Sequence, residues 1–435
     1  MMKEFDGMNI ARGACEYAKK NGADKAQINL LRGEKYELNV DAGKMSLYRT
    51  TVNVGLSISV ITEDREGSVD INLYDDDTVH NAVDEALTMA KASEPDSAND
   101  ISPQRPLECF EHGPKEADSA VMYDRLNEFI DYCGSNYPDT NLEQCILNFV
   151  YNEVFFANTN GAEFISHSGL YNFDASFITK TGTQSSSVND SGAVHRDLAK
   201  KLWQWGSIDE SMRQSTEQTD VKPLEGSFTG DIIITPDCLE ELIKLMNRVY
   251  LGSFPLIEGT SPWKDMLGKQ IVSPLLTLRS EPNGPSVEVG YSFTVGGFRA
   301  ENCNLIENGV LKNFILNLYD SNKTGKPRCP SGGGALIVQN GSSDLDSMIA
   351  DVKKGILLGR FSGGHPANNG DFSGVAKNSY LIENGKIIRP VSETMIAGNI
   401  GAIFKDIRAV SREEINYGHT VMPWILTGNV TISGK

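Results

Sequence analysis

At 435 residues the chain exceeds what one hydrophobic core usually supports, so two domains are expected. A hydrophobic content of 40% with 23% charged residues is that of a soluble globular protein, and no apolar run approaches the ~20 residues that a membrane span needs. The net charge of -18 argues against nonspecific contact with DNA, RNA or an anionic membrane, each of which calls for a basic surface. The first six residues show no positive segment leading into an apolar stretch, so no secretory signal is expected. The seven cysteines are odd in number, scattered and free of any CxxC. That usage suits reduced thiols and a cytoplasmic location.

In chain order, residues 8–21 predict a helix with Ile10, Ala14, Tyr17 and Ala18 on one face and Asn21-Gly22 as its stop. Residues 25–31, 35–40, 51–61 and 68–73 alternate as strands. Asp77-Thr78 caps a helix over about 79–92. The Pro-, Ser- and Asp-rich stretch from Glu94 to Pro114 reads as an extended loop, and Ala120 to Cys133 as a helix. Residues 143–156, 162–168 and 170–179 read as a meander of strands, with turns at Asn160-Gly161 and near Gly169. The polar block from Gly206 to Gly226 is where the boundary between a domain 1–222 and a domain 223–435 is expected.

The second half opens on the buried strand Asp231 to Ile234. Thr235-Pro236 follows as an N-cap with proline at the first helical position, opening a helix to about Tyr250. Short strands fill the remainder, with one more helix near Leu345 to Lys354. Leu-Ile-Glu-Asn-Gly occurs twice, at Leu305–Gly309 and Leu381–Gly385. Asn-Gly between strand-like runs predicts a tight hairpin in each copy, because both central positions need φ > 0. The expected class is α+β: two domains, mainly antiparallel sheets with a few packed helices, the C-terminal domain β-rich.

Motifs that carry chemistry are mostly missing. The six histidines are 80, 112, 167, 195, 365 and 419, and no two lie within 25 residues of each other. A helical two-His zinc site is therefore impossible. GxSxG and the Walker loop do not occur. Ser331-Gly332-Gly333-Gly334 reads as a flexible turn, with a nest of amides for an anion as the other reading. Cys303 and Cys329 read as packing groups or as reactive thiols. The candidate substrate-binding residues are Gly363, Gly364, His365, Asp371, Ser373 and Asn399. Glycine there would let a peptide backbone approach, and an imidazole and a carboxylate lie close in sequence.

The second half resembles the TldD/PmbA family, named in older usage as modulators of DNA gyrase. The resemblance rests on the Asp231 to Thr235 strand with its helix, Leu267 to Ile271, the Leu305 to Gly309 hairpin, Gly370 to Ser373, Tyr380 to Gly385, and Ile396 to Asn399. The Val54-Gly55 strand and the helix after Asp77 agree with it in the first half. The resemblance implies a cytoplasmic peptidase system in which TldD-type members carry zinc on an HExxxH helix. PmbA (TldE) types lack that site and act as partners. Here the corresponding helix, Cys238 to Met246, has no histidine, and no cysteine follows Cys329. The implied role is a metal-free subunit with no catalytic or metal-binding residue of its own. It would bind extended peptides beside a TldD-type homologue, or pair with itself as a dimer. The alternative is a stand-alone homodimeric binding module.

Overall fold

The structure is a computed structural model describing residues 5–434. The first half comprises α1 (Gly7–Lys20), β1 (Lys25–Asp41), β2 (Lys44–Thr62), β3 (Arg65–Ile71), α2 (Asp76–Ala92), β4 (Arg105–His112), α3 (Ser119–Asn136), β5 (Thr140–Asn158), β6 (Ala162–Thr181), β7 (Gln184–Ser185), β8 (Asn189–His195) and α4 (Ile208–Glu217). One sheet runs in the order β3-β2-β1-β5-β6-β4, and β7 and β8 also pair with β6. β4 takes the first part of β6 in parallel and β8 the later part antiparallel, so they share one edge of β6. Alternation along these strands sends Ile28, Leu30, Leu56 and Ile58 inward, where α1 and α2 cover them. A second core, with Phe129, Phe149, Phe173 and Trp205, lies where α3 and α4 pack.

The second half comprises β9 (Lys222–Pro223), β10 (Ser227–Ile234), α5 (Pro236–Met246), α6 (Ser253–Ile257), β11 (Leu278–Ser280), β12 (Cys303–Glu307), β13 (Val310–Leu311), α7 (Leu318–Thr324), β14 (Leu336–Val338), α8 (Leu345–Ala350), β15 (Lys354–Leu358), β16 (Arg360–Gly363), β17 (Asp371–Lys377), β18 (Ser379–Glu383), β19 (Lys386–Ser392), β20 (Thr394–Asn399), α9 (Ile400–Lys405), β21 (Ala409–Asn416) and β22 (Val421–Ser433). They form one large sheet, mostly antiparallel, in which β22 pairs with β10, β14, β20 and β21. β10 and β15 run parallel, with α5 in the connection. The largest core lies between this sheet and α5.

The α+β class and both hairpins are as expected. Asn308 and Gly309 have φ of 47° and 76°, and Asn384 and Gly385 have 50° and 75°. Several elements differ from expectation. β6 runs unbroken through Gly169, which was read as a turn. A Cβ there would strike the Pro114 carbonyl and the Phe149 ring, so this glycine permits a close crossing of two chain segments. The stretch read as a loop after Glu94 contains β4, which has little apolar alternation because it is held by pairing with β6. The polar block after Gly206 contains α4. Its buried side includes Gln214 and Ser215, and Ser215 Oγ bonds the hydroxyls of Thr179 (2.8 Å) and Ser186 (2.9 Å). Ile208 and Met212 are the helix's only buried apolar side chains, a stripe of two residues that the surrounding polar sequence masks. α2 starts one turn early on an Asp75 cap, and α8 ends at Ala350 because the chain turns into β15. α6, α7 and α9 are short helices that were not expected.

The two sheets are tied together by aromatic and polar contacts. Phe293 stacks on Phe164, with centroids 4.8 Å apart. Ser207 donates to Asp237 Oδ1 at 2.6 Å, and the Val194 amide donates to the Tyr417 carbonyl at 3.0 Å. Gly169→Ala is expected to destabilise the chain by about 3 kcal/mol, since backbone must move to admit one methyl. A fall in the urea midpoint of the Gly169→Ala chain, at unchanged slope, checks this.

Candidate functional site

The site is built on α5. Thr235 caps it by accepting the Cys238 amide, and the Thr235 hydroxyl donates to the Gly359 carbonyl at 2.9 Å. Leu239, Leu242, Ile243 and Met246 are fully buried against the sheet. That burial turns Glu240 and Lys244, one helical turn apart, toward the first sheet. The Glu240 carboxylate accepts from the Thr420 hydroxyl at 2.9 Å, with the Lys244 ammonium at 2.8 Å and His419 Nε2 at 3.4 Å. A cavity of about 500 Å³ separates this cluster from the strands opposite, and its walls include Gln144, Asp174, Asp190, Glu240 and Lys244.

The charges shape one another. Burial pushes the Glu240 carboxyl up, but His419 and Lys244 outweigh it and hold Glu240 at about 2. His419 is raised, chiefly by its hydrogen bond to Glu240. Asp174 across the cavity is raised by burial and by Asp190, with His419 opposing. A zinc ion does not fit this face. Its one imidazole and its helix carboxylate are paired with each other, and the carboxylate also holds the Lys244 ammonium. Among the described residues no three His, Cys, Asp or Glu side chains are grouped to hold a metal ion.

The structure brings together some of the sequence-derived candidates. Asp371 accepts from Asn399 Nδ2 at 2.9 Å and from Asn369 Nδ2 at 2.8 Å, and these bonds hold its carboxyl below the usual range. Asn399 caps α9 through the Ala402 amide and donates to the Asn369 carbonyl. The Tyr250 hydroxyl, just past α5, donates to that same carbonyl and accepts the Gly401 amide. Asp371 and Asn399 thus fasten a loop to two helices. Gly363 pairs with Gly374 and Ser373 with Ala397, and both face solvent. Gly364 and His365 lie exposed on the loop after β16. His365 and His419 do not meet in a metal-ligating group. β16 pairs only with β17 among the described strands and packs along α5, where the Phe361 backbone meets the Cys238 thiol.

Sequence reasoning missed the charged cluster on α5. Glu240 and Lys244 at i and i+4 are a legible pair on a capped helix. Nothing local marks Thr420, Asp174 or Asp190 as their neighbours.

Residues 227–434 match the family described as PmbA/TldA metallopeptidase C-terminal domain. The Haemophilus influenzae metalloprotease PmbA homolog is 22% identical, over 97% of this chain and 95% of its own length. TldE of Thermococcus kodakarensis shares the fold with a TM-score of 0.84 at 20% identity, covering 98% of this chain and 100% of the other. A Bacteroides thetaiotaomicron structure described as a putative modulator of DNA gyrase matches with a TM-score of 0.87 at 20% identity, covering 100% of both. The fold is the one those solved structures share. Residues 227–434, just under half of the chain, carry the C-terminal domain of the PmbA/TldD family, and the PmbA relatives align along nearly the whole chain.

The linkage at α5 has a defined pH window. His419 titrates above its ordinary 6.5, so its contribution is complete below 6.5 and is lost as pH rises through the raised value. Glu240 titrates below its ordinary 4.5, so its contribution is complete above 4.5 and is lost as pH falls through about 2. His419→Ala is expected to cost about 1 kcal/mol or less, because the imidazole is half exposed. Urea unfolding of both chains across pH 4–9 checks it: the gap should be widest between 4.5 and 6.5 and should close toward alkaline pH.

Proposed function

We propose that this chain is the metal-free subunit of a cytoplasmic two-chain peptidase of the TldD–TldE kind. A TldD-type homologue would supply the zinc, and this chain would shape the cleft and hold the peptide. The observation that carries the reading is the Lys244–Glu240–His419 cluster. A helix that would present metal ligands in a TldD-type chain here presents an internally neutralised ion group. The ammonium supplies within the protein the positive charge that Glu240 needs, and it leaves no open coordination position.

Peptide capture follows from the end of β16. An extended substrate lies along the exposed end of β16 and the loop after it, and main-chain hydrogen bonds make the affinity tolerant of sequence. Gly364 leaves room for the incoming backbone, Gly363 lets β16 and β17 approach closely over the Phe361 ring, and His365 and Ser373 are exposed nearby. Asp371 and Asn399 keep the loop in place through their mutual hydrogen bond.

Co-expression with an HExxxH homologue tests this. A stable complex is expected, with zinc retained by the homologue and unstructured peptides hydrolysed only when both chains are present. Stoichiometric zinc and hydrolysis by this chain alone would overturn the reading. So would a homologue that is fully active by itself, or a homodimer of this chain that ignores every such homologue.

A further inference from the structure

Two thiols far apart in sequence meet on the second sheet. Cys303 opens β12, and Cys329 lies just before the Ser331–Gly334 run. Both sulfurs hydrogen-bond one hydroxyl, Ser331 Oγ, with Cys303 Sγ at 3.4 Å and Cys329 Sγ at 3.3 Å. The Ser331 hydroxyl thus bridges the two thiols. The loop amides fix this arrangement: the Gly332 N–H donates to the Cys329 carbonyl at 3.4 Å, the Gly333 N–H to Ser331 Oγ at 3.1 Å and the Gly334 N–H to the Tyr291 hydroxyl at 2.9 Å. Arg328, stacked 4.0 Å over the Phe298 ring, adds a positive charge that couples to the same sulfur.

This setting differs from that of the other thiols. The neighbouring Cys303 thiol is the main cause that holds Cys329 down at about 6, against the opposing effect of burial, and the same pairing pushes Cys303 up. Burial pushes Cys15 and Cys145 to about 12, and it raises Cys133 and Cys238 as well. Cys329 is also reached by a cavity of about 260 Å³, bordered by Thr294, Phe298, Leu316, Arg328 and Gly332. That is room for a small molecule and too little for a protein chain.

We propose that Cys329 and Cys303 form a peroxide-reactive dithiol, with Cys329 attacking a small hydroperoxide in this cavity and Cys303 resolving the product to an internal disulfide. In the first step the Cys329 thiolate attacks the distal peroxide oxygen. The O–O bond breaks, the sulfur becomes a sulfenic acid, and the leaving alkoxide or hydroxide takes a proton from water. In the second step the Cys303 sulfur attacks the sulfenic sulfur, and the S–O bond breaks. The thiol proton leaves with the hydroxide as water. Two thiols and one hydroperoxide give one disulfide, one alcohol or water from the peroxide, and one further water. The Ser331 hydroxyl, itself held by the Gly333 amide, bonds the attacking sulfur and stabilises its charge.

The test uses the full chain and hydrogen peroxide, read by peptide mass spectrometry. The expected product is a Cys303–Cys329 cross-linked peptide, formed about tenfold faster than any oxidation of the exposed Cys109. Cys303→Ser should instead accumulate a sulfenic acid at Cys329 that a cyclic 1,3-dione traps, and Cys329→Ser should form no disulfide. Alkylation of Cys329 by iodoacetamide in the unaltered chain should rise with pH around a midpoint near 6, and Ser331→Ala should move that midpoint upward. The proposal is overturned if peroxide oxidises Cys109 while Cys303 and Cys329 stay reduced in the folded, unaltered chain. It is equally overturned if Cys329 alkylates no faster than Cys15.

Discussion

The burial of one face of α5 is the constraint from which the rest of the site follows. Leu239, Leu242, Ile243 and Met246 are removed from water between the helix and the large sheet. Fully burying a side chain of this kind contributes about 1.5–3 kcal/mol, so the helix cannot rotate without losing several such terms at once. The Thr235 cap and its bond to the Gly359 carbonyl pin the start of the helix to the turn between β15 and β16. With rotation and start both fixed, Glu240 and Lys244 have one direction open to them, and that direction is the cleft between the two sheets. β16 lies along the same helix, so that strand and the charged cluster share one support.

The charged cluster shows why this scaffold favours an ion group over a metal. A half-buried carboxylate needs compensation, because burial favours its neutral form. Lys244, His419 and Thr420 supply that compensation through three contacts to one carboxylate. A divalent cation competing for Glu240 would have to displace an ammonium and would find only one imidazole beside it. Glu240 is therefore compensated by side chains of the protein itself, and the burial of the α5 hydrophobic face depends on none of these charges. The strongly acidic surface is a separate matter. It belongs to solubility and to the exclusion of polyanions.

Legibility divided along the range of the forces involved. The Asn-Gly hairpins were readable because two adjacent positions must both reach φ > 0, a demand met within four residues. The start of α5 was readable because a hydroxyl cap followed by proline is a local signal. β4 was not, since its partner is β6, more than fifty residues onward, and its own residues alternate weakly. α4 was hidden because only Ile208 and Met212 of its buried face are apolar, while Ser215 beside them bonds across to β6 and the segment after it. Gly169 was misread because a glycine at a close crossing and a glycine in a turn look alike in one dimension. Asn399 was chosen for binding, and its first duty proves to be capping α9, a role that its position before an apolar run announces.

Taken alone, the amino-acid sequence determined the class of the fold, the two hairpins, the strand-to-helix entry of α5 and the lack of a helical two-histidine zinc site. Each depends on neighbours along the chain or on a count. Only the tertiary structure decided that Thr420 and His419 close on Glu240, that Asp174 and Asp190 face Lys244 across a cavity, and that Cys303 and Cys329 share one serine hydroxyl. Those meetings are set by strand pairing and helix packing over long sequence separations. There the register of a sheet, and not any local spacing, chooses which side chains touch.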